Sequence, residues 1–146
     1  MMIPIAVEDP GMRTFLIVAN QTLTSASLTE AIRTRLAQGP IHTHVVVPIS
    51  PVGGRLTWDE QESRAVARSR LDEVLTRLRE MGAEADGEVG DRDPVMAVRD
   101  AIRGRDVDEL IVSTLPKGMS RWLGEDVPSR LREAVAVPVT VITQEG

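Results

Sequence analysis

The chain opens its regular pattern at residues 14–19, where Thr14 leads into the apolar run Phe15, Leu16, Ile17, Val18 and Ala19, followed by a polar turn at 20–24. An unbroken apolar run of this length predicts a strand covered on both faces. From 25 to 38 the apolar positions Leu28, Ala31, Ile32 and Leu36 fall at helical spacing, with Ser27 and Glu30 as a capping box and Gly39 and Pro40 as the stop. Residues 42–49 are again β-rich around Val45, Val46 and Val47, with Pro48 near the end, and 50–58 form a Gly- and Pro-containing loop. A second capping box, Thr57 with Glu60, is expected to open a long helix whose stripe is Ala67, Leu71, Val74, Leu75 and Leu78 and which ends near Gly82. Its other faces carry Arg64, Arg68, Asp72, Glu73, Arg77 and Glu80, a solvated surface with i,i+4 pairs.

Residues 84–89 are a weak strand candidate, because only Ala85 and Val89 are apolar. Asp93 as N-cap and Pro94 at the first helical position open the next helix, with Val95, Val98, Ala101 and Ile102 as its stripe and Gly104 as its end. Glu109 to Thr114 is the clearest short strand, and a loop through Lys117, Gly118, Met119 and Ser120 follows it. A last helix is expected over about 126–134, and 137–142 closes the chain as a strand with Pro138 among its first residues. Strict alternation of strand and helix predicts a parallel α/β sandwich, with right-handed crossovers and helices on both faces.

Composition narrows the function. With 146 residues, 42% of them apolar and 27% charged, the chain is one domain large enough to hold a core without disulfides or a metal. Its 17 basic and 22 acidic residues give a net charge of −5, which argues against binding a phosphate backbone. Two Trp, one Phe and no Tyr leave few platforms for unstacked bases, so no nucleic-acid partner is expected. The absence of cysteine excludes thiolate nucleophiles and Cys-based metal sites. The first residues lack a basic n-region, and no segment approaches the ~18 apolar residues of a membrane span, so a cytoplasmic location without membrane contact is expected.

In an open α/β sheet the ligand crevice lies outside the carboxyl ends of the strands, where strand order reverses. That rule selects Asn20, Gln21 and Thr22 after the first strand, Ser113 and Thr114 at the end of the fourth, and Lys117, Gly118, Ser120 and Arg121 in the loop beyond. Amides, hydroxyls and two cations suit an anionic or hydrogen-bonding ligand, although the same residue types also make turns and caps. Val89 and Gly90 end the third strand, where glycine permits either a turn or the close approach of a ligand. His42 and His44 share a strand face but begin the second strand, at the edge opposite the crevice and with no carboxylate nearby in sequence; a partly exposed structural pair is expected, and no metal. Ser113 and Ser120 have no histidine partner and no G-x-S-x-G elbow, so no catalytic residue is assigned. Glu125 and Asp126 sit at a helix start and read as capping residues, and Trp58 and Trp122 lie in or beside loops.

The segments Ile17 to Thr22, Val89 to Pro94, Asp108 to Thr114, Lys117 to Leu131 and Val137 to Ile142, taken in that order, resemble the universal stress protein (UspA-like) family over residues 13–143. The resemblance implies a UspA-like domain over 13–146 after an N-terminal extension at 1–12. It also implies a single-domain three-layer sandwich with a five-stranded, mainly parallel sheet of order 3-2-1-4-5, Rossmann-like and akin to the adenine nucleotide alpha hydrolases. It further implies a stress-response or signalling module, dimeric through the last strand, where Val137, Val139 and Val141 form an apolar edge.

Family members that bind ATP carry an acidic residue at the end of strand one and a G-x-x-G, nine residues, G-S/T loop after strand four. Here Asn20 replaces the acid, Ser113 stands at the first Gly, the second Gly has no counterpart near Pro116, and Glu125 and Asp126 replace the Gly-Ser. Two carboxylates at a helix N-terminus repel a triphosphate, which disfavours ATP and leaves Lys117, Gly118 and Arg121 for a smaller anion or an altered pose of an adenine nucleotide. ATP binding or weak nucleotide hydrolysis on the same fold is the alternative.

Overall fold

A computed structural model describes residues 12–50, 59–115 and 120–144. Strands β1 (Arg13–Val18), β2 (Ile41–Pro48), β3 (Glu84–Gly90), β4 (Glu109–Thr114) and β5 (Val139–Thr143) alternate with helices α1 (Ala26–Leu36), α2 (Glu60–Glu80), α3 (Pro94–Ile102), α4 (Arg121–Gly124) and α5 (Val127–Ala134). The five strands form one sheet in the order β3-β2-β1-β4-β5, every neighbouring pair parallel. This is the expected α/β sandwich and the expected strand order. The extra element is α4, a single turn capped by the Ser120 hydroxyl, which accepts from the Leu123 N–H at 3.1 Å. Four residues carry too little periodicity to mark such a turn in the sequence.

Two apolar cores lie on the two faces of the sheet. Phe15, Ile17, Ala19, Val45 and Val47 pack against Leu28 and Ile32 of α1 and Ala67, Leu71 and Val74 of α2. Leu16, Val18, Val46, Leu110 and Val112 pack against Val95, Val98 and Ala101 of α3 and Val127 and Leu131 of α5. Burial on both faces explains the apolar runs of β1, of β4 and of the second half of β2. β3 is an edge strand: Ala85 turns toward α2 while the alternate Glu84, Asp86 and Glu88 turn toward solvent and toward β2, so its signal was weak. Gly87 is required there, since a Cβ would lie 2.5 Å from the Val45 carbonyl oxygen and 2.6 Å from a Leu71 methyl.

The helix starts differ in detail from the expected capping boxes. Ser25, not Ser27, caps α1, its hydroxyl accepting from the Leu28 N–H at 3.2 Å. Asp59 caps α2 by accepting from the Glu62 N–H at 3.1 Å, while Thr57 lies outside the described residues. Both caps sit three residues before the N–H they serve, as the motif demands; the local spacing was right and its phase was set by where the chain leaves the sheet. Asp93 and Pro94 open α3 as expected.

Candidate ligand site at the carboxyl edge of the sheet

β1 connects to β2 on one side, and the chain after β3 crosses back to β4 on the other, so the strand order reverses between β1 and β4. At that point the structure brings Thr22 and Ser113 together, Oγ to Oγ at 2.6 Å, and both residues are buried. The pair bridges the two halves of the sheet across 91 positions of sequence. Thr114, also buried, donates its hydroxyl to the Leu115 carbonyl at 3.0 Å, and its own carbonyl accepts from the Gln144 N–H at 2.9 Å. Asn20 is buried and turned inward: its Nδ2 donates to the Pro48 carbonyl at 2.5 Å, and its Oδ1 accepts from Arg70 Nη1. Gln21 is exposed beside them.

Of the loop residues expected here, Ser120 caps α4, Arg121 opens it and is described only in its backbone, and Lys117 and Gly118 lie outside the described residues. Arg70 was missed by sequence reasoning. It stands on α2, 50 residues from Asn20, and nothing in its helical neighbourhood distinguishes it from the other arginines of that helix.

Beside this crevice, at the ends of β2 and β3 and the start of α2, lies an open cleft of about 480 Å³ lined by Ile49, Glu60, Arg64, Asp91 and Arg92. Two guanidinium groups and two carboxylates face the same space, which suits a ligand carrying both an anionic group and hydrogen-bond donors. Arg64, expected on a solvated face, therefore lines the cleft. Val89 and Gly90, half-buried at the end of β3, are not among the lining residues, though the Ile49 N–H donates to the Gly90 carbonyl at 3.2 Å. Gly90 answers to packing: a Cβ there would lie 2.8 Å from Ala97 Cβ and 3.2 Å from a Val46 methyl. The close approach is made by α3.

Glu125 and Asp126 are both exposed, but the expected capping role fails for Asp126. Its backbone is left-handed, φ 56° and ψ 39°, and its side chain makes no capping bond to α5. Aspartate is one of the few residues that tolerates this conformation, so the position is set by the turn between α4 and α5. The carboxylate still stands, exposed, at the start of α5.

His42 and His44 keep the structural place expected of them but gain carboxylate partners that their own stretch of sequence does not supply. β3 lies alongside β2 with His42 opposite Glu84, His44 opposite Asp86 and Val46 opposite Glu88, so three carboxylates share the histidines' face. His44 is 3% exposed, with Nδ1 2.5 Å from Asp86 Oδ1 and Nε2 2.8 Å from Glu88 Oε2. An ionised carboxylate can only accept, so at these contacts the ring N–H is the donor. His42, 25% exposed in its side chain, stands 3.4 Å from Asp86 and 3.6 Å from Glu84, and Arg105 stands 3.8 Å from Glu88. Partial burial pushes the Asp86 carboxyl up, but the hydrogen bond and charge of His44, with His42 and Arg105, outweigh it and hold the group below the usual 3.8. Among the described residues no group of three or more metal-ligating side chains is placed to hold a metal ion. The cluster clasps the edge strand to the sheet, at the end away from the cleft.

The strand order and the helices on both faces define a doubly wound α/β protein whose order reverses between β1 and β4. No family model matches the chain, and no curated protein matches it in sequence. Among solved structures it has the fold of the universal stress proteins. A family member from Arabidopsis thaliana with AMP bound is 11% identical with a TM-score of 0.61, covering 92% of this chain and 93% of its own. One from Archaeoglobus fulgidus in complex with dAMP is 20% identical with a TM-score of 0.56, covering 90% and 97%. A universal stress protein in complex with cAMP is 18% identical with a TM-score of 0.59, covering 91% and 98%.

Proposed function

We propose that the chain is a universal-stress-protein-like regulatory module that binds a small anionic ligand, an adenine nucleotide of low phosphate content in place of ATP, at the carboxyl ends of β1 and β4 and in the adjoining cleft. The observation that carries this reading is the placement of the buried polar groups Asn20, Thr22, Ser113 and Thr114 at the strand-order reversal, beside a 480 Å³ cleft holding Arg64 and Arg92. Neighbours of the same fold bound to AMP, dAMP and cAMP support the choice of ligand. Asn20 in place of an acid, and the exposed Glu125 and Asp126 at the start of α5, weigh against a triphosphate. A binding module is favoured over an enzyme because neither Thr22 nor Ser113 is within hydrogen-bond reach of a histidine or carboxylate among the described residues. Titration calorimetry with AMP and ATP tests the reading: AMP is expected to bind more tightly. Stoichiometric ATP released from the heat-denatured, purified protein would overturn it.

A further inference from the structure

The described arginines that approach carboxylates do so in recognisable pairs: Arg33 with Glu30, Arg35 with Glu109, Arg68 with Asp72, Arg105 with Glu88 and Arg130 with Asp93. Arg70 is different. It is half-buried at the carboxyl edge of the sheet, and its one hydrogen bond goes from Nη1 to the neutral amide oxygen of Asn20. No described carboxylate forms an ion pair with it, and of the five N–H donors of a guanidinium the other four have no partner among the described residues. Asn20 is itself held by the Pro48 carbonyl, so the guanidinium is anchored at one nitrogen to a fixed, buried group. Pro48 immediately precedes Ile49, which lines the cleft. Ser63, two turns earlier on the same stripe of α2, is 2% exposed and its hydroxyl has no partner among the described residues.

A half-buried cation without a counter-charge is costly unless something supplies one, and a fork with one tine anchored has lost most of the freedom it would otherwise give up on binding. We infer that Arg70 is the anion-binding residue of the ligand site, its free N–H groups taking the oxyanion, a phosphomonoester, of the molecule bound in the crevice. This assignment rests on the ligand-site reading above and gives it a source of positive charge outside the loop after β4. It also gives Asn20 a role: the neutral amide orients the guanidinium without neutralising it, where a carboxylate would.

The test is calorimetric titration of the full chain and of R70Q with AMP, adenosine and inorganic phosphate. AMP affinity is expected to fall about tenfold in R70Q, the loss of a hydrogen bond to a charged group, while adenosine affinity changes by less than about twofold. Equal AMP affinity in the two proteins overturns the assignment and leaves the ligand-site reading standing. Phosphate binding that depends on Arg70, with no binding of AMP or adenosine, supports the assignment and removes the nucleotide from the reading. Failure of all three probes to bind the wild-type chain overturns both. R70K, which keeps the charge and loses the fork, decides the matter should R70Q fail to fold: a loss confined to AMP and phosphate supports the assignment, and unchanged affinity overturns it.

Discussion

Single side chains tie neighbouring elements together across the amino end of the sheet. At the amino end, Arg35 on α1 holds Glu109 of β4 through Nε at 3.2 Å and Nη2 at 2.7 Å, and Thr140 of β5 donates to the same carboxylate. Burial pushes the Glu109 carboxyl up, yet the hydrogen bonds from Arg35 and Thr140, with the charges of Arg35 and Arg13, bring it below its usual 4.5. A carboxyl whose folded pKa is lowered stabilises the fold fully above its unfolded value and loses that contribution as pH falls through the folded one. Urea denaturation followed from about pH 5 down to about pH 3 is therefore expected to fall less steeply in E109Q than in the wild type. Parallel profiles would show that the Arg35 pair contributes nothing to acid sensitivity. None of this was visible in the sequence: Arg35 and Glu109 are 74 residues apart, and Glu109 reads locally as a polar strand start.

At the scale of elements, apolar runs and caps located most of the secondary structure, because strands buried on both faces cannot hide their composition. β3 was the hardest strand to see for the opposite reason. An edge strand with one polar face alternates, and glycine replaces apolar residues where a helix comes close, at Gly87 under Leu71 and at Gly90 under Ala97. The Gly90 contact carries a test. G90A would place a methyl 2.8 Å from Ala97 Cβ, and is expected to cost about 1–3 kcal/mol as a shift in urea midpoint with an unchanged slope. A neutral G90A would mean that α3 can withdraw, and would return the glycine to the ligand as its reason. The phase of the caps on α1 and α2 and the existence of α4 were not legible, since each depends on where the chain turns above the sheet.

For the whole molecule, the open edges are β3 and β5. β3 presents Glu84, Asp86 and Glu88, and charge on an edge discourages pairing with another chain. β5 presents no such guard: Val139 and Val141 are half-buried in the strand, while Val137, expected as its start, precedes it and packs against the α3 and α5 side. We propose that two copies pair through β5; light scattering is expected to give twice the chain mass for the wild type and the single mass for V141R, and a wild-type monomer at working concentration sinks the idea. Among the described residues no helix is long and apolar enough to cross a membrane. The sequence by itself determined the alternation of strands and helices and the buried faces, because these follow from periodicities of two and 3.6 residues and from the handedness of crossovers. Tertiary structure alone decided which groups meet: Thr22 with Ser113, Arg70 with Asn20, and His44 with Asp86 and Glu88, pairs separated by 91, 50, 42 and 44 residues. Strand register sets the His44 pairs, and the docking of α2 and of the turn after β1 sets the other two; each is a relation between distant segments that no local pattern of residues contains.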